Sequence, residues 1–192
     1  MNFRLIKEQN PINEEHKVNV FIKAIASGMF VGYIPFASGT FGSLVGLLIY
    51  LIPGFANVHI LIIAVIVFFV IGIFFSEMMM KRYGFDPPQV VIDEIVGLWF
   101  TYIIGYAVLA IFITFKSYDP TQDFYKKLIF GITGFIVFRF FDIIKLQPAK
   151  YLDSTKTGYG IMLDDIVAGL YAGVLSSVFT HFLWYRIFIH KF

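Results

Sequence analysis

The sequence predicts an all-α fold: a polytopic membrane helix bundle with four transmembrane helices, a short or re-entrant apolar helix and an N-terminal amphipathic helix. Hydrophobic residues make up 58% of the 192-residue chain and charged residues 15%, against roughly 45–50% and about 25% in soluble domains. The apolar residues also form long runs. Residues 57–80 contain a single charge, Glu77, and residues 98–115 contain none. A helix crosses a bilayer in about 20 residues, so both runs are long enough.

The N-terminal segment differs in character from these runs. Residues 1–17 are polar and mixed in charge, which predicts a polar tail rather than a cleaved signal peptide. Within residues 18–33, Asn19, Lys23 and Ser27 recur every four positions. This stripe predicts an amphipathic helix at the membrane interface or half-buried against the bundle.

Five apolar helices are predicted after Pro35. The first, over 41–52, follows the loop 37–40 and has too few residues to cross a bilayer squarely, so it is short, tilted or re-entrant. The stronger four are predicted at about 57–81, 91–115, 124–145 and 160–190. Residues 18–192 are therefore expected to form a single membrane-embedded domain.

The positive charges predict an orientation for these helices. If the helices alternate in direction and 41–52 crosses, the loops 37–40, 82–90 and 146–159 share one side with the N-terminal tail. That side holds ten of the 15 Lys and Arg residues. Because positive charge marks the cytoplasmic side of a membrane protein, these loops are predicted to face the cytoplasm.

Five carboxylates from three helices are predicted at the same end: Asp93, Glu94, Asp142, Asp164 and Asp165. Arg139 and Lys145 flank Asp142 at spacings of three, on one helix face. Acids in a first helical turn complement the helix dipole, and Arg139 with Asp142 could be a plain ion pair. Neither alternative explains why five acids share one level, where their mutual repulsion requires more positive charge than two basic side chains supply. Ionisable groups at membrane depth usually mark a functional site.

A divalent cation is the predicted source of that positive charge. The five side chains offer only hard oxygen ligands, and the chain has no cysteine. The histidines (His16, His59, His181 and His190) lie in the tail or near the opposite face. Mg²⁺ is the expected ion, and Mn²⁺ could replace it.

Rows of small residues predict how the acidic helices pack. Residues at 97, 101 and 105, and again at 165, 169, 173 and 177, are spaced by four and are small apart from Asp165. Such rows let helices approach closely, and the second row directs Asp165 into the bundle. The segment 38–43, with Ser38, Thr40 and Ser43 ahead of a helix, could hold a phosphate.

Four sequence blocks resemble the phosphatidylglycerophosphatase A family. They are FASGTFGS at 36–43, VIDEIVG at 91–97, FRFFDIIK at 138–145 and GYGIMLDDIVAG at 158–169. Together they cover about residues 35–173 in the family's order. Two loop positions depart from the family pattern: Leu146 replaces a usual proline, and Asp86-Pro87-Pro88 replaces a turn that often contains glycine. Both departures leave the charged positions intact.

The resemblance implies Mg²⁺-dependent hydrolysis of phosphatidylglycerophosphate to phosphatidylglycerol and phosphate, at the cytoplasmic face of the bacterial inner membrane. It implies that the five carboxylates are the catalytic residues and hold one or two metal ions, with one acting as general base or as nucleophile. The implied phosphate-binding residues are Arg139, Lys145, Ser38, Thr40 and Ser43. The partners are then a phospholipid substrate and the membrane, with no nucleic acid and no obligate protein partner.

Two other function classes stay open. A divalent-cation transporter or channel would use the same acids, but it needs them near the bilayer midplane along a path open on both sides. A structural or assembly protein would leave the acidic positions replaceable. Other lipid phosphatase chemistries are excluded because the sequence lacks a Cys-x5-Arg loop, an Asp-x-Asp-x-Thr/Val motif and a Pro-Ser-Gly-His motif.

Overall fold

The structure, a computed structural model, describes residues 12–112 and 123–184, and all regular structure in those ranges is helical. The α-helices are α1 (Val20–Ala26), α2 (Ser38–Leu51), α3 (Val58–Tyr83), α4 (Ile92–Phe112), α5 (Phe124–Ile144), α6 (Ala149–Asp153) and α7 (Gly158–Trp184). A 3₁₀ turn covers Val31–Tyr33. The all-α prediction is confirmed. The predicted tail residues 1–11, the helix ends 113–115 and 185–190 and the loop residues 116–122 lie outside the described residues.

Three described helices, rather than the predicted four, are long and apolar enough to cross a membrane: Val58–Tyr83, Ile92–Ile111 and Gly158–Leu183. The fourth prediction, α5, has 21 residues but carries charges near both ends. Lys126 and Lys127 lie in its first turn, and Arg139 and Asp142 lie near its last. The prediction of four spans was therefore wrong because of the charges of α5, whereas the length of this helix agrees with the prediction.

Helix α4 is the centre of the bundle. It packs against α2, α3, α5 and α7, and α7 also packs against α5 and α3. Of the apolar stretch of α4, 61% is buried, compared with 17% for α3. The first turn of α4 is consequently placed inside the bundle, whereas most of α3 faces outward.

Helix α2 extends from the acidic end of the bundle into the opposite half. Its first turn lies beside Arg139, near the end of α5, while Lys127 Nζ, near the start of α5, donates to the carbonyl oxygen of Leu51 at 2.8 Å. Fourteen residues of helix rise about 21 Å. Helix α2 therefore runs antiparallel to α5. It begins at Ser38, so the predicted loop 37–40 is mostly its first turn.

The predicted helix over 18–33 is shorter than expected. Helix α1 ends at Ala26, and the chain then turns through three residues with positive φ, namely Gly28, Met29 and Phe30 (55°, 58° and 70°). The polar stripe marks the ends of a short helix: Asn19 caps its start and Ser27 follows its last residue. A second difference is α6, which lies in the predicted loop 146–159 and packs against α7.

Helices α4 and α7 pack main chain against main chain. A Cβ added at Gly169 would lie 2.6 Å from the carbonyl oxygen of Gly97, and one added at Gly173 would lie 2.7 Å from that of Thr101. A Cβ at Gly97 would lie 2.9 Å from the carbonyl oxygen of Asp165. We call this contact, formed by Gly97, Thr101, Gly169 and Gly173, the glycine seam. It joins the two predicted rows of small residues.

Candidate active site

Three carboxylates converge where α4 and α7 begin. One oxygen of each of Asp93, Glu94 and Asp165 lies within 4.8 Å of the others, and the three residues are 8%, 8% and 3% exposed. Asp93 and Glu94 belong to the first turn of α4, and Asp165 approaches from α7 directly above the glycine seam. Oxygens that bind one Mg²⁺ at about 2.1 Å lie within about 4.2 Å of each other, so small side-chain adjustments suffice. We call these residues the acidic triad.

The two other predicted carboxylates lie beside the acidic triad and pair with cations. Asp142 Oδ2 is 2.5 Å from Arg139 Nη1, and Asp164 Oδ2 is 2.7 Å from Lys145 Nζ. Both carboxylates, like Asp93 and Glu94, are close enough to repel the charge of Asp165. All five acids therefore share one end of the bundle, as the sequence predicts. The plain ion pair that the Arg139–Asp142 spacing allows is also present.

Asp165 lies among four other carboxylates. Its Oδ2 atom is buried and has no hydrogen-bond partner among the described residues. A buried carboxylate oxygen without a donor is costly, and four neighbouring carboxylates increase that cost. A divalent cation would balance these charges, and the oxygen-only donor set suits a hard cation. The residues present therefore fit a metal ion, although their geometry does not identify which one.

The first turn of α2 packs directly against the acidic triad. A Cβ added at Gly39 would collide with Glu94 Oε1 and would lie 3.0 Å from Arg139 Nη1. Arg139 Nη1 donates to Ser43 Oγ at 3.4 Å, and Ser43 Oγ donates to the Gly39 carbonyl oxygen at 2.9 Å. Ser38 and Thr40 are half-buried in the same turn. Gly39 is a site residue that sequence reasoning missed, because what it contributes is the absence of a side chain.

Glu77 is a second residue whose position the sequence did not reveal. Its Oε2 atom accepts a hydrogen bond from Gly158 N, the first residue of α7, at 2.9 Å. A negative charge is favourable at a helix N-terminus because it complements the helix dipole. Two turns of helix separate Gly158 from Asp165, so this bond helps to fix the segment that carries Asp164 and Asp165. The signal in the sequence is the isolated charge in an apolar run, but its partner lies 81 residues away.

The opposite half of the bundle has a different kind of interior. Tyr50 and Tyr106 share a hydrogen bond between their hydroxyls at 2.7 Å, and Tyr102 donates to the Gly131 carbonyl oxygen at 3.0 Å. Phe130 stacks on Tyr106, with ring centroids 5.2 Å apart. We call Tyr50, Tyr102, Tyr106 and Phe130 the tyrosine layer. Each of its three hydroxyls has a partner, and none of these side chains can ionise readily at neutral pH.

Comparison with known proteins connects this arrangement to a lipid-modifying family. Residues 24–180 match the sequence profile of the family described as Phosphatidylglycerophosphatase A. A phosphatidylglycerophosphatase A of Haemophilus influenzae is 31% identical over 179 residues, covering 92% of this chain and 98% of the relative. One of Escherichia coli K12 is 30% identical over 160 residues, covering 82% and 83%.

A third relative carries a different description. A protein of Bacteroides thetaiotaomicron, provisionally named a phosphatidylinositol-3-phosphatase, is 32% identical over 159 residues, covering 80% of this chain and 90% of the relative. No solved structure matches the chain. By their names, all three relatives remove a phosphate from a phosphatidyl lipid, but the headgroup is glycerophosphate in two of them and inositol 3-phosphate in the third.

Proposed function

Because the chain belongs to the phosphatidylglycerophosphatase A family, we propose that it hydrolyses phosphatidylglycerophosphate to phosphatidylglycerol and inorganic phosphate with the help of Mg²⁺. The observation that carries this proposal is the acidic triad, buried beside Arg139 and the first turn of α2. The protein acts in the bacterial inner membrane with this site facing the cytoplasm, the side on which positive charge concentrates.

The acidic triad would hold the metal. Asp93, Glu94 and Asp165 supply three oxygens from two helices, and the partnerless Oδ2 of Asp165 supports this role. When bound, Mg²⁺ or Mn²⁺ polarises the phosphate and lowers the pKa of an attacking water. Asp142 and Asp164 could serve a second ion only by leaving Arg139 and Lys145, with which they pair.

The phosphate would bind between the basic side chains and the start of α2. Arg139 and Lys145 are held by Asp142 and Asp164, which orients them before substrate arrives. Arg139 Nε is buried without a hydrogen-bond partner in the described residues, so it can donate to a phosphate oxygen. The hydroxyls of Ser38 and Thr40 and the amides at the start of α2 would supply further donors. Ser43, whose hydroxyl already donates to the Gly39 carbonyl oxygen, would contribute by accepting from Arg139 and so orienting it toward the phosphate.

The reaction breaks the bond between phosphorus and the glycerol oxygen and forms one between phosphorus and a water oxygen. In one route a carboxylate of the triad would accept the proton of the attacking water and return it to the leaving glycerol oxygen. In the other it would attack phosphorus itself, the leaving glycerol oxygen would take a proton from water, and the hydroxide so formed would hydrolyse the acyl phosphate. In both routes the donors of Arg139 face the phosphoryl oxygens, where negative charge builds up in the transition state. The acyl chains remain in the bilayer because the site lies at the helix ends.

Phosphate release from the purified full chain tests the proposal. Phosphatidylglycerophosphate and phosphatidylinositol 3-phosphate are assayed in parallel, each with Mg²⁺, with EDTA, and with EDTA followed by excess Mg²⁺. We expect Mg²⁺-dependent release from phosphatidylglycerophosphate and loss of activity in Asp142→Asn and Asp165→Asn. Activity that survives EDTA and both substitutions would overturn the mechanism, and a preference for the inositol lipid would overturn the assigned substrate.

The alternative of a cation transporter has less support. Its path would have to pass the tyrosine layer, where three aromatic rings are fully buried and Lys127, a fixed cation, lies nearby at the end of α2. The layer offers a transported cation no carboxylate, and its three hydroxyls are already hydrogen-bonded within the protein. The acidic triad is therefore better suited to holding a metal at one face than to passing it through.

A further inference from the structure

Large apolar side chains are exposed in the segment before α2, where no described helix is long enough to cross a membrane. Met29 is 74% exposed and Phe30 46%, in the turn that follows α1. Phe21 in α1 and Phe36 before α2 are 64% and 56% exposed. We call these four residues the apolar tip. They lie within sixteen positions of one another, in a segment bounded by the polar residues 12–19 and the site-forming turn of α2.

The backbone of the tip adopts a conformation that costs free energy. Met29 and Phe30 both have left-handed φ values, 58° and 70°. In that conformation the Cβ of a side chain crowds the following carbonyl oxygen, so the turn is strained. The turn is held by two short-range bonds, from Met29 N to the Ala24 carbonyl oxygen at 2.7 Å and from Phe30 N to Ser27 Oγ at 3.0 Å. The result is that two large apolar side chains point away from the protein.

The same segment is fastened to the basic end of α3. Arg82 Nη1 donates to the His16 carbonyl oxygen at 2.9 Å, and the Tyr33 and Tyr83 hydroxyls are 3.1 Å apart. Basic residues outnumber acidic ones within 12–36 and the last turn of α3. The basic residues are Lys17, Lys23, Lys81 and Arg82, and the acidic ones are Glu14 and Glu15. Apolar and positive groups therefore belong to one surface.

This surface is connected directly to the acidic triad. Val91 N, one residue before α4, donates to the Ala26 carbonyl oxygen at 2.9 Å. A Cβ added at Gly28 would lie 3.1 Å from the Val91 side chain. Val91 is two residues from Asp93, so the tip and the first turn of α4 are parts of one packed unit at one level of the bundle.

We propose that the apolar tip inserts into the boundary between headgroups and acyl chains of an anionic phospholipid leaflet, beside the acidic triad. Apolar side chains next to basic ones match such a surface, which offers hydrocarbon and negative charge together. A second copy of this chain fits less well, because a symmetric contact would bring the basic residues of both copies together. The link to substrate rests on the proposed function, whereas docking on the leaflet does not.

The depth of the tip can be measured because the chain has no cysteine. The full chain is reconstituted in vesicles of phosphatidylcholine and phosphatidylglycerol and carries one spin label, attached at Met29→Cys. Two control samples carry the label elsewhere: Ser154→Cys is an exposed polar control, and Ile66→Cys is a lipid-facing control on α3. Collisions with oxygen, which prefers the bilayer, are compared with collisions with a water-soluble nickel chelate. We expect the ratio of oxygen to nickel collisions at position 29 to lie between the ratios of the two controls. In vesicles without phosphatidylglycerol this ratio should shift toward the value at position 154.

Two outcomes would overturn the inference: a label at position 29 as accessible to nickel as that at 154, or one shielded from both quenchers, which would mean that protein covers the tip. Neither depends on catalysis, so a failure of the proposed function is seen separately as absent phosphate release.

A kinetic experiment tests the same surface. The double substitution Met29→Asn and Phe30→Asn removes the apolar groups, and Asn tolerates left-handed φ, so the turn is retained. In mixed micelles we expect the apparent KM, expressed as the mole fraction of phosphatidylglycerophosphate, to rise about fivefold or more with kcat unchanged. Hydrolysis of a monomeric short-chain analogue should not change. An unchanged KM, or an equal loss with the short-chain analogue, would count against docking.

Discussion

The two ends of the bundle satisfy their buried polar groups in opposite ways. In the tyrosine layer each hydroxyl bonds to another part of the protein, as Tyr102 does to the Gly131 carbonyl oxygen and Tyr50 does to Tyr106. At the acidic triad, Asp165 Oδ2 and the nearby Arg139 Nε are buried with no partner in the described residues. Buried polar atoms in stable proteins are almost always paired, so the acidic end is complete only when something else binds there.

From this difference we infer a structural role for the tyrosine layer and a functional role for the acidic end. The tyrosine layer stabilises the packing of α2, α4 and α5 and needs no ligand. The acidic end concentrates negative charge from α4, α5 and α7, which lowers the stability of the empty site in return for affinity toward a cation and a phosphate. Substitutions at the acidic end should therefore change activity far more than stability, and those in the tyrosine layer should do the reverse.

The largest expected effect is that of Asp165→Asn. We expect kcat to fall about 10³-fold or more, because in the proposed mechanism the side chain would contact the metal and the transition-state charge. Without metal the thermal midpoint should rise, since one of five clustered negative charges is lost. The matched control is Asp123→Asn, at the opposite end, where the side chain only caps α5 and Asn can do the same. If Asp165→Asn kept activity within twofold of the parent chain, the proposed difference between the two ends of the bundle would be wrong.

The next effect is stabilisation by metal alone. At a Mg²⁺ concentration 100 times its dissociation constant, the parent chain should gain about 2.7 kcal/mol of stability, seen as a rise in thermal midpoint in detergent. Asp165→Asn should show little of this rise, while Tyr106→Phe should show all of it. A rise of equal size in all three proteins would mean that Mg²⁺ acts elsewhere.

Arg139→Lys should lower kcat/KM about 10-fold to 100-fold. A lysine keeps the charge but loses the planar fork that contacts Ser43 and Asp142. In the proposed mechanism that fork would also bind a phosphate through two nitrogens. Arg82→Lys, at the end of α3, is the control and should leave kcat unchanged, because the hydrogen bond of Arg82 to the His16 carbonyl oxygen lies outside the acidic triad. The assay compares initial rates over a range of substrate mole fractions. Equal losses of kcat/KM in the two variants would show that the guanidinium of Arg139 has no particular role in phosphate binding.

Glu77→Ala should have a smaller effect, about fivefold in kcat/KM, with a higher Mg²⁺ concentration needed for half-maximal activity. The substitution removes the acceptor for Gly158 N, so the start of α7 and its two aspartates are held less firmly. Glu77→Gln keeps an acceptor oxygen and should restore most of the activity. If Ala and Gln behave alike, the bond to Gly158 does not position the site.

The smallest effect on activity is expected for Tyr106→Phe. It removes the bond to the Tyr50 hydroxyl, and such interhelical bonds average about 0.6 kcal/mol in membrane proteins. The thermal midpoint should fall slightly while kcat stays the same. Tyr125→Phe, an exposed tyrosine in the same half, should change neither. A loss of activity in Tyr106→Phe would show that the two ends are coupled.

The sequence predicted the helices and the shared level of the five acids because both follow from local pattern. Hydrophobic runs locate α3, α4 and α7, and small residues spaced by four predict the glycine seam. The start of α2 was misplaced because Ser38, Gly39 and Thr40 have low helix propensity, which contacts with Glu94 and Arg139 override. Helix α6 was missed because five residues are too short to show a period.

What could not be predicted is the choice of partners. Asp142 and Asp164 look equivalent to Asp93 and Glu94 in the sequence, yet they pair with Arg139 and Lys145. That choice depends on distances between residues far apart in the chain. The same holds for Glu77, whose charge is visible in the sequence but whose contact with Gly158 depends on how α3 packs against α7.

The glycine seam has a mechanical consequence for the site above it. Gly97 lies one turn after Asp93 and Glu94, and a Cβ added to it would lie 2.9 Å from the carbonyl oxygen of Asp165 itself. The spacing of the two acidic helices is thus set by contacts between backbone atoms, beside which the side chains of Phe138 and Ile104 also pack. When the surrounding bilayer thickens, thins or tilts the outward-facing α3, the width of the metal-binding gap should stay constant.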